Sequence, residues 1–305
     1  MALVVVLAEV AEPAAPVLNE LPGSRTTAHA GRFYGSNTLA AVTLYVDLYR
    51  YRELFLNLFR RELRVKYRGS VLGVAWSLVN PLVLVGVYTL VFSVLWRAFS
   101  IPHYPLFLVT GLLVWVFFQS ALQSSAGSLL GHANLVKQVK FPRQLLPLAV
   151  VGTNLISFLA MFAVILPLNL IVLPATRETF WVAILLSIPL IALVSGLSIV
   201  VAAATVVFRD VEHLLVTALL PWFFLTPVFY TFDQLPKIDE RPWLADILHY
   251  GNFITPPLIA IRDPLFFGRY PSGGDTAYTI GAAIVALALG AFVFRRVDDQ
   301  LAVSL

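Results

Sequence analysis

The polar and apolar positions of residues 46–68 separate cleanly when the chain is wound at 100° per residue. Arg50, Glu53, Asn57, Arg60, Arg61 and Arg64 fall on one face, and Leu48, Tyr51, Phe55, Leu58, Phe59 and Leu63 on the other. The pattern predicts an amphipathic helix lying in a membrane surface, its cations among anionic head groups. Only a few residues separate it from an unbroken apolar stretch. Further on, six stretches are apolar enough to cross a bilayer, at about 70–96, 104–124, 145–173, 180–207, 211–230 and 276–294. A hydrocarbon core of about 30 Å needs roughly 20 such residues of helix. No Asp, Glu, Lys or Arg lies clearly inside any of the six. A charge there costs about 2.5–3.5 kcal/mol, so its absence argues against a proton relay or an ion-coupled carrier. The expected fold is an all-α polytopic membrane protein, with a six-helix transmembrane domain over 70–294 behind the interface helix. Residues 231–275 mix apolar stretches with prolines and are too short-paced to span, which predicts short re-entrant helices on the outer side.

Composition agrees. Of 305 residues, 59% are hydrophobic and 12% charged, where a soluble domain carries about 25%. Placement of the cations matters more than the net charge of +4. Arg50, Arg52, Arg60, Arg61, Arg64, Lys66 and Arg68 precede the first span. Lys137, Lys140 and Arg143 follow the second, Arg209 the fourth, and Arg295 and Arg296 the sixth. The positive-inside rule then makes both termini cytoplasmic, with 295–305 as a cytoplasmic C-terminus. The opening MALVVVLAEV lacks a basic start and is broken by Glu9, so residues 1–40 read as a disordered cytoplasmic tail rather than a signal peptide. There is no cysteine, which excludes disulfides and thiol chemistry.

Several chemistries have no residues to carry them. There is no GxxxxGK[ST] loop for nucleotide phosphates. Five scattered histidines make no zinc spacing. No catalytic or metal-binding residue is assigned, and no nucleic-acid partner is expected. Asp233, Asp239, Glu240, Asp246 and Asp263 are interspersed with Lys237, Arg241 and Arg262, and read as an ordinary solvated outer face. A membrane glycosyltransferase, which would use such carboxylates, is the rival class.

Four strings, in order, resemble the permease subunit of ABC-2-type exporters, in the branch that exports lipid-linked polysaccharides such as O antigens, teichoic acids and galactan. The first is RELRVKYRGSVLGVAWSLVNPL, through Arg61, Glu62, Tyr67, Arg68, Ser70, Leu72, Gly73, Trp76 and Pro81. The second is HANLVKQVKFPRQLLP, through Asn134, Leu135, Lys140, Phe141, Pro142 and Pro147. FRDVEHLL and LTPVFYTFDQLP form the third, through Thr226, Pro227, Phe229, Tyr230, Leu235 and Pro236. The fourth is NFITPPLIAIRD, where Asn252, Pro256, Ala260 and Arg262 fit, while Phe253 stands for the family's proline and Ile259 for its glutamate.

The resemblance implies a half-transporter in a bacterial cytoplasmic membrane. A second copy of the chain would pair with it, and two nucleotide-binding ATPase subunits would dock below. ATP and magnesium would bind only on those partners. The cargo would be a glycan on a polyprenyl-diphosphate or similar carrier, with a smaller lipid or drug as the alternative. A short helix at 127–138, bounded by prolines, suits force transfer from the ATPase, and Ser128, His132, Asn134 and Lys137 are placed at that contact, with Arg209 and Asp210 as a second. Arg60, Arg61, Arg64 and Arg68, where the interface helix meets the first span, are expected to gather the carrier diphosphate. Sugar rings stack their C–H faces on aromatic side chains. Trp76, Tyr88, Phe92, Trp115, Phe118, Trp222, Phe224 and Tyr230 are therefore the channel candidates, together with Gln119 and Gln123, which share a helix face. Asn80, Asn154 and Ser157 are further polar residues at membrane depth, where a bundle interior or a watery path suits them better than lipid.

Overall fold

The structure, a computed structural model, describes residues 50–70, 73–95, 101–138, 141–234 and 242–304. The expected N-terminal tail and the start of the interface helix lie outside them. Ten α-helices are described: α1 (Arg52–Tyr67), α2 (Trp76–Tyr88), α3 (Tyr104–Ala126), α4 (Ala133–Gln138), α5 (Leu145–Val172), α6 (Phe180–Val207), α7 (Asp210–Leu225), α8 (Pro242–Asp246), α9 (Thr255–Arg262) and α10 (Gly273–Ser304). Wide turns extend α2 to Leu95, α8 to Gly251 and α9 to Phe267. No strand occurs among the described residues.

Five helical stretches are long and apolar enough to cross a membrane: Leu78–Leu95, Tyr104–Ala126, Leu145–Val172, Phe180–Val207 and Gly273–Val297. The predicted span at 211–230 is not among them. Its helix, α7, has 16 residues and stops at Leu225. Pro227 contributes, because its ring disfavours the α conformation in the residue before it. Thr226 is accordingly extended, at φ −90° and ψ 134°.

Helix α3 is the centre of the bundle. Phe107, Leu108, Leu112, Val114 and Phe118 are all wholly buried there. Helices α6 and α10 lie side by side and run in the same direction. Leu193 clusters with Ala283 and Ala286, and Ile199 and Val206 cluster with Val293, Phe294 and Val297. Between these levels the two backbones touch at Gly196. A methyl group there would stand 2.5 Å from the Ala286 carbonyl oxygen and 2.6 Å from the Leu287 nitrogen. Gly196→Ala is therefore expected to prise α6 from α10 and to destabilise the protein by about 1–3 kcal/mol. A lower temperature of half-aggregation in detergent would register it.

Because α6 and α10 are parallel, the chain must return between them. Helix α7 makes that return beside α3. At one end the Glu212 carboxylate lies against Gly127, just past the end of α3. At the other, the Phe229 carbonyl accepts a hydrogen bond from Tyr104 at the start of α3, at 2.9 Å. Sixteen helical residues cover about 24 Å, and the turn and bend that follow carry the chain on to the start of α3.

The outer segment departs from expectation in its burial. Thr255–Phe266 is packed into the bundle, with Arg262 3% and Asp263 5% exposed. It is not a solvated face, although Asp233 and Asp246 are exposed. Asn169 of α5 donates to the Leu265 carbonyl (2.7 Å), and Thr179, before α6, donates to the Pro264 carbonyl (2.8 Å). These bonds tie the segment to the ends of two long helices.

Candidate functional site

At one end of the bundle, α1 packs across α5. Leu58 is buried, and the rings of Phe55 and Phe59 lie against Gly152. Arg60, Arg61, Arg64 and Arg68 are exposed. Arg61, Arg64 and Arg68 line one open depression of about 730 Å³ with Tyr67 and Gly73. Arg60 does not line it; its carbonyl accepts from Arg64 Nε at 3.3 Å.

Two charged residues sit on the apolar face of α1. Glu62 follows Phe55 by seven residues and Lys66 follows Phe59 by seven, so each returns to its predecessor's face. Both turn inward to a partner. Lys66 has an exposed stem, but its ammonium donates to Asn154 Oδ1 (2.9 Å) and Ser157 Oγ (3.2 Å) of α5. Asn154 is fixed for this by its own Nδ2 bond to the Val150 carbonyl, at 3.0 Å. Tyr67 hydroxyl shares Ser157 Oγ at 3.1 Å. Partial removal from water lowers the Lys66 pKa.

Beside Lys66 opens a cavity of about 640 Å³ between α1, α2, α3 and α5. Arg68, Trp76, Asn80, Ser120, Asn154 and Ser157 share its wall with the rings of Phe117 and Phe158. Among the described residues, two cations line it and no carboxylate does. Charge, neutral hydrogen-bonding groups and apolar wall together suit an anion attached to an apolar chain. Lys66 was absent from the predicted head-group set because its neighbours Arg60 and Arg64 dominate the charge pattern. A lone cation one heptad after Phe59 is the signal that marks it.

Glu62 reaches the loop that follows α3. Its Oε1 lies 2.9 Å from His132 Nε2, and His132 Nδ1 is 2.8 Å from the Ser128 carbonyl oxygen. Ser128 is buried and donates to the Ser125 carbonyl at 2.7 Å, so it braces the loop from inside. Leu129 is wholly buried in the cluster that also holds Leu58 of α1. Asn134 is exposed, as are Arg209 and Asp210 at the turn from α6 to α7. Lys137 lies in α4. One rigid end thus joins α1, the 127–138 loop and the ends of α6 and α10.

The aromatic candidates gather along α2, α3 and α7. Tyr88 lies 6.1 Å from Phe92 and 5.8 Å from Phe223, and Phe92 stacks on Phe229 at 5.1 Å. Trp115 and Phe118 are sealed in the core, and Trp115 Nε1 donates to Gln119 Oε1 at 2.7 Å. Gln123 is half-buried, Trp76 and Phe224 are exposed, and Tyr230 is buried. Tyr230 hydroxyl faces the Leu225 carbonyl at 3.2 Å.

At the far end the non-helical segment after α7 is pinned from three directions. Trp222 Nε1 donates to Asn252 Oδ1 (2.7 Å), and Asn252 Nδ2 donates to Thr226 Oγ1 (2.9 Å). Arg262 donates to the Pro227 carbonyl at 2.6 Å, with its guanidinium 4.4 Å from the centre of the Phe107 ring. Burial brings the Arg262 pKa down to about 10, which leaves it charged at neutral pH. Gly111 lets α3 approach, since a Cβ there would meet the Val228 carbonyl oxygen at 2.7 Å. The third and fourth sequence strings, far apart in the chain, are thus stitched to each other.

Comparison with known proteins points the same way. The family model described as ABC-2 type transporter matches residues 53–266. An O-antigen export system permease protein, RfbA, of Myxococcus xanthus is 38% identical over 268 residues, covering 87% of this chain and all of that protein. A second RfbA, from Klebsiella pneumoniae, is 33% identical over 82% of this chain and 94% of its own length. The polysialic acid transport protein KpsM of Escherichia coli is 22% identical over 81% of this chain. These relatives are named as permeases and transport proteins rather than enzymes. With its long apolar helices and this match, the chain is an integral membrane protein belonging to the ABC-2 type transporter family.

Proposed function

We propose that this chain is the membrane subunit of an exporter that moves a lipid-linked polysaccharide across a bacterial cytoplasmic membrane, powered by ATP hydrolysis on separate subunits. The observation that carries the proposal is the cavity beside Lys66, with its two cations, its lack of carboxylates and its apolar wall. A carrier diphosphate would bond to Lys66 and Arg68, with Arg61 and Arg64 gathering it from the membrane surface. The amphipathic make-up of α1 supports its lying in that surface. The return of the chain along α3 supports a sixth crossing, formed by α7 and its non-helical continuation. The depth at which Thr255–Phe267 packs supports a re-entrant outer segment. Arg209, Arg295 and Arg296 adjoin the helix ends whose Val206, Phe294 and Val297 cluster with Leu58 of α1, which supports cytoplasmic termini.

A second copy of the chain completes the path. Leu82, Val83, Val87, Leu90 and Val94 of α2 and its extension are exposed, as are Leu220 and Phe224 of α7. The partner copy covers part of these faces, leaving Tyr88, Phe92, Trp222 and Phe224 near the polymer and Trp115 and Phe118 behind them as support. The ATPase docks on the 127–138 loop, on Asn134 and Lys137, and at Arg209 and Asp210. Its movement reaches α1 through the His132–Glu62 link. His132→Ala should leave the complex assembled and cut cargo-stimulated ATP hydrolysis by about tenfold, the worth of one charged hydrogen bond.

Purification from the native membrane tests the assignment. The expected product is a complex of two copies of this chain with two ATPase subunits, its mass read by light scattering. A chain that purifies alone, with no nucleotide-hydrolysing partner, would overturn it.

A further inference from the structure

A second cavity, of about 580 Å³, opens at the end of the bundle opposite Lys66. It lies between the turn that follows the non-helical segment after α7, the wide turn after α9 and the start of α10. Its size falls within the ordinary range for small-ligand sites, about 300–1,000 Å³. The wall is stiff. Arg269 bonds Asp263 at 3.0 Å, and His249 Nε2 meets Asp275 Oδ1 at 2.5 Å. Ser272 Oγ adds a bond to the other oxygen of Asp275 at 2.8 Å.

The chemistry of this wall differs from that of the Lys66 cavity. There, two cations stand without a carboxylate. Here Asp233, Asp263 and Asp275 face Arg262 and Arg269, with His249 bonded to Asp275, so no positive excess stands in the wall. Between the polar groups stand the rings of Phe232, Phe267 and Tyr270. Tyr270 is 62% exposed, with Trp181 against it at 6.3 Å, and Asp233 is exposed as well. Paired carboxylates and donors recognise vicinal hydroxyls, and rings receive the C–H face of a pyranose. A wall with no positive excess favours a neutral ligand over a phosphate.

We infer that this outer cavity is a saccharide subsite, which holds a neutral sugar unit of the cargo as it leaves the path. The inference rests on the exporter proposal and adds a second binding site to it. The Lys66 cavity takes the anionic head group, and the outer cavity takes the glycan.

The absence of native cysteine gives a direct test. Thr231→Cys places the sole thiol of the chain on the cavity wall, at a half-buried position outside the charged set. The full complex in native membrane vesicles is labelled from the outer side with a membrane-impermeant maleimide. The probe is a set of delipidated oligosaccharides cut from the producing cell's own surface polysaccharide, with inorganic pyrophosphate as the comparison. At roughly ten times the half-protecting concentration, the oligosaccharide should slow labelling by roughly tenfold, as mass action requires, and pyrophosphate should not. Tyr270→Ala in the same background should remove the protection, with the complex still assembled. Equal labelling with and without oligosaccharide, in a complex whose ATPase still responds to lipid-linked glycan, overturns the subsite and leaves the exporter standing. Protection by pyrophosphate equal to that by sugar overturns the neutral-glycan assignment. Failure of the ATPase to respond to lipid-linked glycan at all overturns the exporter proposal, and the subsite with it.

Discussion

Arg262→Met lowers stability by about 3 kcal/mol and loosens the outer end of the bundle. Methionine fills much of the volume, so little of the loss is cavity. What disappears is the bond to the Pro227 carbonyl and the contact with the Phe107 ring. A hydrogen bond to a charged group contributes about 1.5–3 kcal/mol, and a desolvated cation–ring contact about 2 kcal/mol. The two overlap, and burying the free guanidinium costs something in return, which keeps the net below their sum. The Pro227 carbonyl is then left buried without that donor, beside a segment that has no helical bonds of its own. Denaturant or thermal unfolding of the purified complex measures the loss. Arg262→Lys should fall between, since it keeps the charge and loses the flat face. An unchanged midpoint for Arg262→Met would mean that this network does not hold the non-helical segment after α7.

Lys66→Met removes the inward cation of the cytoplasmic cavity. The glycolipid concentration giving half-maximal stimulation of the ATPase should rise about tenfold, the lower end of the roughly 1.5–3 kcal/mol of a hydrogen bond to a charged group, because Lys66 is partly in water. Lys66→Arg should recover part of it. The exposed Arg60→Ala should have a smaller effect, because its charge stays in water and is screened there. If Arg60→Ala and Lys66→Met behaved alike, the head group would be held by the general charge of α1 and not by the cavity.

The long helices were legible because their signal is strong and continuous. Spans predicted at 104–124, 145–173 and 180–207 appear as Tyr104–Ala126, Leu145–Val172 and Phe180–Val207. The face of α1 was legible too, since Leu58 and Phe59 pack as the periodicity requires. The end of α7 was misjudged for a local reason. The apolar run continues through Pro227 to Tyr230, and hydropathy does not register that the helix stops at Leu225. The outer segment misled in the other direction. Arg262 and Asp263 look like solvent residues in a list of charges. Their burial depends on a carbonyl thirty-five residues away and on the ring of Phe107, and neither has a periodic signature. Lys66 and Glu62 were readable in principle as charges on an apolar face. Their partners, Asn154 and His132, come from other elements and become visible only when α1 is laid across α5.

Measuring ATP hydrolysis by the purified, reconstituted complex, with and without polyprenyl-diphosphate-linked glycan, tests the central claim most directly. The account predicts stimulation by the lipid-linked glycan that Lys66→Met weakens. Stimulation by a small amphiphile, with no response to the lipid-linked glycan in wild-type protein, would contradict it.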